Sequence, residues 1–349
     1  MTATLTEAPR RTQPTSRRLL ALGGAVALLL VAVAASLALG ARDIPLATVL
    51  EALTARVAGD NDHSVVLDQR LPRTAVGLLV GAALGLAGTL MQGVTRNPLA
   101  DPGILGINAG ASLLVVLAIT VLGITSPSAY VWFAFAGAAA ATVVVYGIGA
   151  SGRQGSTPVR LALVGTALTA GITSVLTLLL LGSTTATNAY RFWSVGSLAG
   201  RGSGAGGDVL LALVPFLVVG ALLALLSGRA LNLLAMGDDV ARGLGLAVGR
   251  ARLLAIVAAV LLAGGATALA GPIVFVGLVV PHVIRAFTGP DYRWILAAAV
   301  VVGPTLLLAA DVLGRLVARP GELEAGLVVA FVGAPAMIAI VRRSRLAGL

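Results

Sequence analysis

From Pro102 to Gly152 the chain carries no charged side chain. A water-soluble helix or strand needs a polar face, so a run of this length has no place on a soluble surface. In lipid, backbone N–H and C=O groups must be satisfied within the segment, and the simplest solution is a helix of about 20 apolar residues. Thr125-Ser126-Pro127-Ser128 interrupts the run and divides it into two spans. Leu19 to Ala41, Thr74 to Thr95, Leu161 to Gly182, Val209 to Ser227, Trp294 to Val317 and Ala325 to Val341 each supply one more. Leu253 to Ile284 is long enough for two, with Gly271-Pro272 as the break. The total is ten, and the chain reads as an all-α polytopic membrane protein.

Charge placement agrees. The first span exceeds the apolar core of about 7–15 residues in a secretory signal and reads as a retained helix. Arg17 and Arg18 before it, and Arg342, Arg343 and Arg345 at the other end, place both termini on the cytoplasmic side. Ten spans satisfy both ends, and nine would not. This divides the chain into a cytoplasmic tail, residues 1–18, and a single transmembrane body, residues 19–349. Sixteen arginines then face five acids inside, and seven face eight acids outside. Asp311 and Arg315 fall within the ninth span. All 24 basic residues are arginine, scattered and without an aromatic platform, which argues against nucleic acid as a partner. The chain has no cysteine and no lysine. Thiolate chemistry and a lysine-ended phosphate loop are therefore excluded.

Four polar stretches join the spans. Arg42 to Arg73 and Ser183 to Gly207 are expected outside, the second with an interfacial aromatic cluster, Tyr190-Arg191-Phe192-Trp193. Gly228 to Arg252 and Arg285 to Arg293 are expected inside. In the third, Gly237 to Gly245 reads as a short helix exposing small residues. Asp238 would cap it, Asp239 would suit the positive end of its dipole, and Gly243 or Gly245 would end it. It is either an element that a soluble partner grips or an ordinary connection. An internal symmetry is also visible. The second span leads into Asn97 to Gly103 and the seventh into Gly271-Pro272. Val164-Gly165-Thr166-Ala167 in the fifth span parallels Val332-Gly333-Ala334-Pro335 in the tenth. Two four-helix units of opposite orientation, an inverted repeat, would explain both.

These residues resemble the FecCD family, permeases of type II ABC importers for iron-siderophores, haem and cobalamin. The resemblance is carried by Arg70-Leu71-Pro72-Arg73, Gln92-Gly93, Arg96 to Pro102, Trp193 with Gly196-Ser197-Leu198, Gly237 to Gly245, Ala270 to Ile273, Gly277 to His282, and Gly289-Pro290-Asp291. It implies type II ABC importer permease architecture, in the inner membrane of a bacterium. It implies a second permease subunit, two cytoplasmic ABC ATPases that use ATP, and an extracytoplasmic binding protein, with no cofactor or metal bound by this chain. Gly237, Asp238, Asp239, Ala241, Arg242, Leu244 and Gly245 become the coupling segment, within residues 228–252. Arg70, Arg73 and Arg319 become docking residues for the binding protein. Gly165, Thr166, Thr169, Thr173, Gly333 and Pro335 line the pathway, with Arg153 to Pro158 near its inner gate. Glu324 and Val329 stand where the family often has Pro and Thr, at or within the tenth helix, and alter the expected pore lining.

Each site has a plainer reading. For Arg70 and Arg73 it is plain interfacial anchoring, although exposed charge pairs often steer partners and favour docking. His282 has no second His or Cys near it in sequence and fits packing or capping better than a metal site. Asp311 and Arg315, four residues apart, most simply neutralise one another. Asp311 as a proton relay, together with the repeat, would suit an ion-coupled secondary transporter, the competing function. Thr166, Thr169, Thr173 and Ser174 suit a wet pathway or backbone hydrogen bonds in a dry interface.

Overall fold

The computed structural model describes residues 14–151, 158–202 and 204–346. Every regular element among them is helical. The first part of the chain forms α1 (Thr15–Ala38), α2 (Leu46–Thr54), α3 (Asn61–Ser64), α4 (Leu71–Thr95) and α5 (Ile107–Thr120). The middle forms α6 (Pro127–Ala150), α7 (Pro158–Leu181), α8 (Thr184–Ser194), α9 (Ala205–Leu226), α10 (Gly228–Ala235) and α11 (Asp238–Gly243). The last part forms α12 (Val248–Ala270), α13 (Val276–Thr288), α14 (Tyr292–Val317) and α15 (Ala325–Leu346). Seven helices among the described residues are long and apolar enough to cross a membrane. Shorter apolar helices, Ile107–Thr120, Val276–Thr288 and Ala325–Ala339, occupy the expected third, eighth and tenth spans.

Several boundaries differ from expectation. The second span does not begin at Thr74. A π-helical stretch, Val65–Arg70, joins α3 to α4 in one helical run, Asn61–Thr95. Arg70 and Arg73 therefore sit on a helix rather than in a loop. The first helix likewise begins at Thr15 and takes in Arg17 and Arg18, which the sequence reading left in the tail. The break before α6 lies where Pro and Ser predict it: Ser126 is the N-cap and Pro127 the first helical residue, where its missing N–H costs nothing. Trp193 is not an interfacial anchor. It is fully buried, packed 6.2 Å from the Tyr190 ring, because α8 folds back against α5 and α7.

α4 and α12 pack against one another at the centre. Each also reaches into the other half of the chain: α4 packs against α13 and α14, and α12 against α5 and α6. Two groups of contacts run in parallel, α5 with α6 and α7, and α13 with α14 and α15, while α9 packs on α12 and α1 on α14. Glycine permits the closest crossings. A Cβ on Gly88 of α4 would fall on the Gly277 carbonyl of α13, and one on Gly81 would lie 2.5 Å from Cα of Pro304 on α14. Small residues replace the hydrophobic effect as the means of association in lipid, because they let backbones touch.

Candidate functional site

Two polar clusters lie at opposite ends of α4. The first surrounds its N-terminal turn. Arg73 donates from Nε and Nη2 to Asp311 of α14, at 2.8–3.1 Å, and from Nη1 to Glu322 at 2.6 Å. Arg315 pairs through Nη2 with Asp311 Oδ2 at 3.0 Å. Asp311 is 0% exposed. Burying a carboxylate costs several kcal/mol unless charge and hydrogen bonds compensate, and here two guanidinium groups do so. Arg315 does neutralise Asp311, as expected, but Arg73 shares the work from across the molecule. Both Asp311 oxygens are thus engaged by arginine.

The same cluster closes the end of α1. The last carbonyls of a helix have no partner within it. Arg70 donates to those of Leu37 and Ala38, at 2.8 and 2.6 Å. Arg315 donates to those of Ser36 and Leu39, both at 3.0 Å. Arg319 reaches Gly40 and pairs with Asp43 at 2.7 Å. Cations at a helix C-terminus also complement its dipole. Arg70 and Arg73 are buried, and Arg319 is partly open. With Arg42, Arg315 and Glu322, Arg70 and Arg73 line a cavity of about 380 Å³.

The second cluster lies at the C-terminal end of α4. Asp238 does not cap α11. Gly237 is the N-cap, with φ 106°, and no side chain bonds there. The Asp238 carboxylate instead meets Arg252 of α12 at 2.9 Å, Arg96 at the end of α4 at 3.5 Å, and Arg242 at 3.9 Å. Of the two glycines expected to end α11, Gly245 takes the left-handed turn, with φ 84°. Ala241 is fully buried, so it offers no surface to a partner; Val240, Asp239 and Leu244 do, with Leu244 59% exposed. Asn232 of α10 ties this segment to the start of α14, accepting from the Tyr292 N–H at 2.9 Å and donating to Asp291 at 2.7 Å. Arg96 and Arg252 escaped the sequence reading. The signal was present: Arg252 lies near the positive end of α12, where a cation needs an acidic neighbour.

On α7, Thr166, Thr173 and Ser174 are exposed, and their hydroxyls donate to the carbonyls of Ala162, Thr169 and Ala170 in their own helix. Thr169 is half-buried beside Gly106. Gly165 is buried against the Ile104 carbonyl, and Gly333 against Phe275, so both serve packing here. Pro335 is exposed on α15. Val329 is 1% exposed and lines an apolar cavity between α13, α14 and α15. Residues 153–157 of the expected inner-gate loop lie outside the described residues. His282 contacts the Leu278 carbonyl through Nδ1 at 2.9 Å, a bond within its own helix.

A family model, the FecCD transport family, matches residues 28–343. The chain belongs to the FecCD transport family. Among FecCD relatives, the ferric enterobactin transport system permease protein FepD of Escherichia coli is 46% identical over 334 residues, 95% of this chain and 97% of its own length. The iron(3+)-hydroxamate import system permease protein FhuB of Bacillus subtilis is 40% identical over 311 residues, 89% of this chain and 79% of its own length. The hemin transport system permease protein HmuU of Yersinia pestis is 36% identical over 334 residues, covering 93% and 96%. A solved ABC transporter assigned to the metal-chelate type, in an inward-facing conformation, superposes with a TM-score of 0.81 at 26% identity, covering 93% of this chain and 99% of its own. This FecCD chain is accordingly a membrane-spanning permease subunit of the ABC-importer kind.

Proposed function

We propose that this chain moves an iron-siderophore, or a related metal chelate, across the inner membrane of a bacterium as the permease subunit of an ATP-driven importer. The observation that carries the reading is the FecCD match over residues 28–343, nearly the whole membrane body. The chain crosses the membrane ten times as an inverted repeat, with tail 1–18 and the C-terminus cytoplasmic. Residues 19–349 form one permease domain, paired with a second permease subunit. Two cytoplasmic ATPases supply ATP hydrolysis, and an extracytoplasmic binding protein delivers the chelate.

Roles follow from exposure. Asp239, Val240, Arg242 and Leu244, all exposed, meet the ATPase, while Gly237, Asp238, Ala241 and Gly245 shape the segment that presents them. Arg319 and the cavity floored by Arg70 and Arg73 receive the binding protein. The exposed hydroxyl face of α7, with Thr166 and Thr173, and Pro335 of α15 border the pathway. The ion-coupled alternative is not favoured, because Asp311 is held by Arg73 and Arg315.

The test is uptake of radiolabelled ferric chelates by cells lacking this gene, complemented with the wild-type chain, with and without its ATPase. ATPase-dependent restoration supports the reading. Restoration without any ATPase sinks it.

A further inference from the structure

We propose that the groove between α1, α13 and α14 is a binding site for one anionic phospholipid, with an acyl chain in the groove and the phosphate on Arg18. The groove encloses about 280 Å³ and its walls are almost wholly apolar, among them Leu22, Leu28, Phe287 and Val302. Two threonines line it, Thr288 and Thr305, and both already donate to carbonyls of their own helices, at 3.1 and 2.8 Å. Nothing in the wall asks for a polar ligand, so hydrocarbon fits it and a sugar or peptide does not. Glycine creates the space: Gly24 lines the groove, and no atom lies within 4 Å of where its Cβ would stand. From Ala21 to Leu28 the helix rises about 10 Å, most of the roughly 15 Å depth of one leaflet's hydrocarbon.

The mouth of the groove supplies the second, independent observation. Arg18 stands one turn before Ala21, with Nη2 3.8 Å from the Cβ position of Gly289, next to the groove residue Thr288. Its guanidinium lies 5.8 Å from the centre of the Trp294 ring. Tryptophan over a cation at the end of an apolar groove is the arrangement found at headgroup level. Arg18 Nε is buried without a hydrogen-bond partner. The nearby acid, Asp291, is 3.8 Å away, too far for a hydrogen bond, and it accepts from Asn232 and from the Arg293 N–H. The Arg18 side chain keeps 13% of its surface exposed, and a phosphate oxygen reaching its Nη groups would supply the charge-assisted hydrogen bond that Asp291 does not. Arg17 and Arg293, both exposed, are the chain neighbours of Arg18 and Trp294 and outnumber Asp291 there. Positive charge selects an anionic headgroup over a zwitterionic one. The site is independent of the transport role.

Native mass spectrometry and thermal unfolding of the purified full-length chain test this with phosphatidylglycerol, phosphatidylcholine and inorganic phosphate as probes. The wild type should retain phosphatidylglycerol and unfold at higher temperature with it, and should respond to neither other probe. Arg18→Gln should weaken that retention about fivefold, the effect of one arginine at a membrane surface. Gly24→Leu should block the groove and abolish the response while Arg18 remains. Equal responses to both lipids would overturn the proposal. So would stabilisation by phosphate alone, or wild-type retention in Arg18→Gln, the variant least able to disturb packing.

Discussion

Asp311 offers two oxygen atoms to two guanidinium groups, and each comes from a different part of the chain. Removing it leaves the buried Arg315 without a carboxylate and Arg73 with Glu322 alone. Asp311→Ala should destabilise the folded chain by about 3–5 kcal/mol, the usual penalty for leaving buried charge unpaired; fluorescence-detected thermal unfolding in detergent measures it. Asp60 gives a second residue-scale expectation. Its carboxylate caps α3, and hydrogen bonds from the His63 and Asp62 backbone N–H groups hold it below the ordinary aspartate range. A depressed acid stabilises the fold above its unfolded pKa and loses that contribution as pH falls through the folded one. Hydrogen-exchange protection at Asp62 and His63 should hold near neutrality and fade only in strong acid; Asp60→Asn should remove the pH dependence. At this scale the sequence told which residues mattered better than how. The Asp311–Arg315 pair is local and was legible, yet the partners of Arg70 and Arg73 lie far away in the chain, at the end of α1 and on α14, where no local pattern points.

The segment from α10 to α11 is held at two points, Asn232 to the start of α14 and Asp238 to the ends of α4 and α12. The exposed Leu244 and the buried Ala241 therefore give opposite expectations. Leu244→Asp should leave the chain folded and abolish co-purification with the ATPase. Ala241→Asp should lower folded yield, because a charge would enter a fully buried position. Asp238→Asn should uncouple: transported chelate per ATP should drop several-fold in reconstituted vesicles, as about 1.5–3 kcal/mol of charge-assisted hydrogen bonding is weakened. An unchanged ratio would show that the carboxylate transmits nothing. Elements as such were legible, since uncharged apolar runs mark helices in lipid by backbone need alone. Their ends were less so. The π-helical stretch at Val65–Arg70 extends the second span through residues whose polarity reads as a loop, and burial among α1 carbonyls is what pays for it.

For the whole molecule, the absence of cysteine makes topology directly measurable. Single cysteines at Asp60 and Leu244 should label from opposite sides of the membrane with an impermeant maleimide, and labelling of both from one side would refute ten crossings. The interleaving of α4 and α12 has a further consequence, in time rather than space. A ribosome finishes α4 well before it begins α14, so Arg73 enters the bilayer when its carboxylate partner has not yet been made. The early half must wait, held by the insertion machinery or by lipid, until the last quarter arrives to complete it. A chain stopped at Gly271 should consequently be cleared quickly in a pulse-chase experiment, although every helix it needs for its own half has already been synthesised.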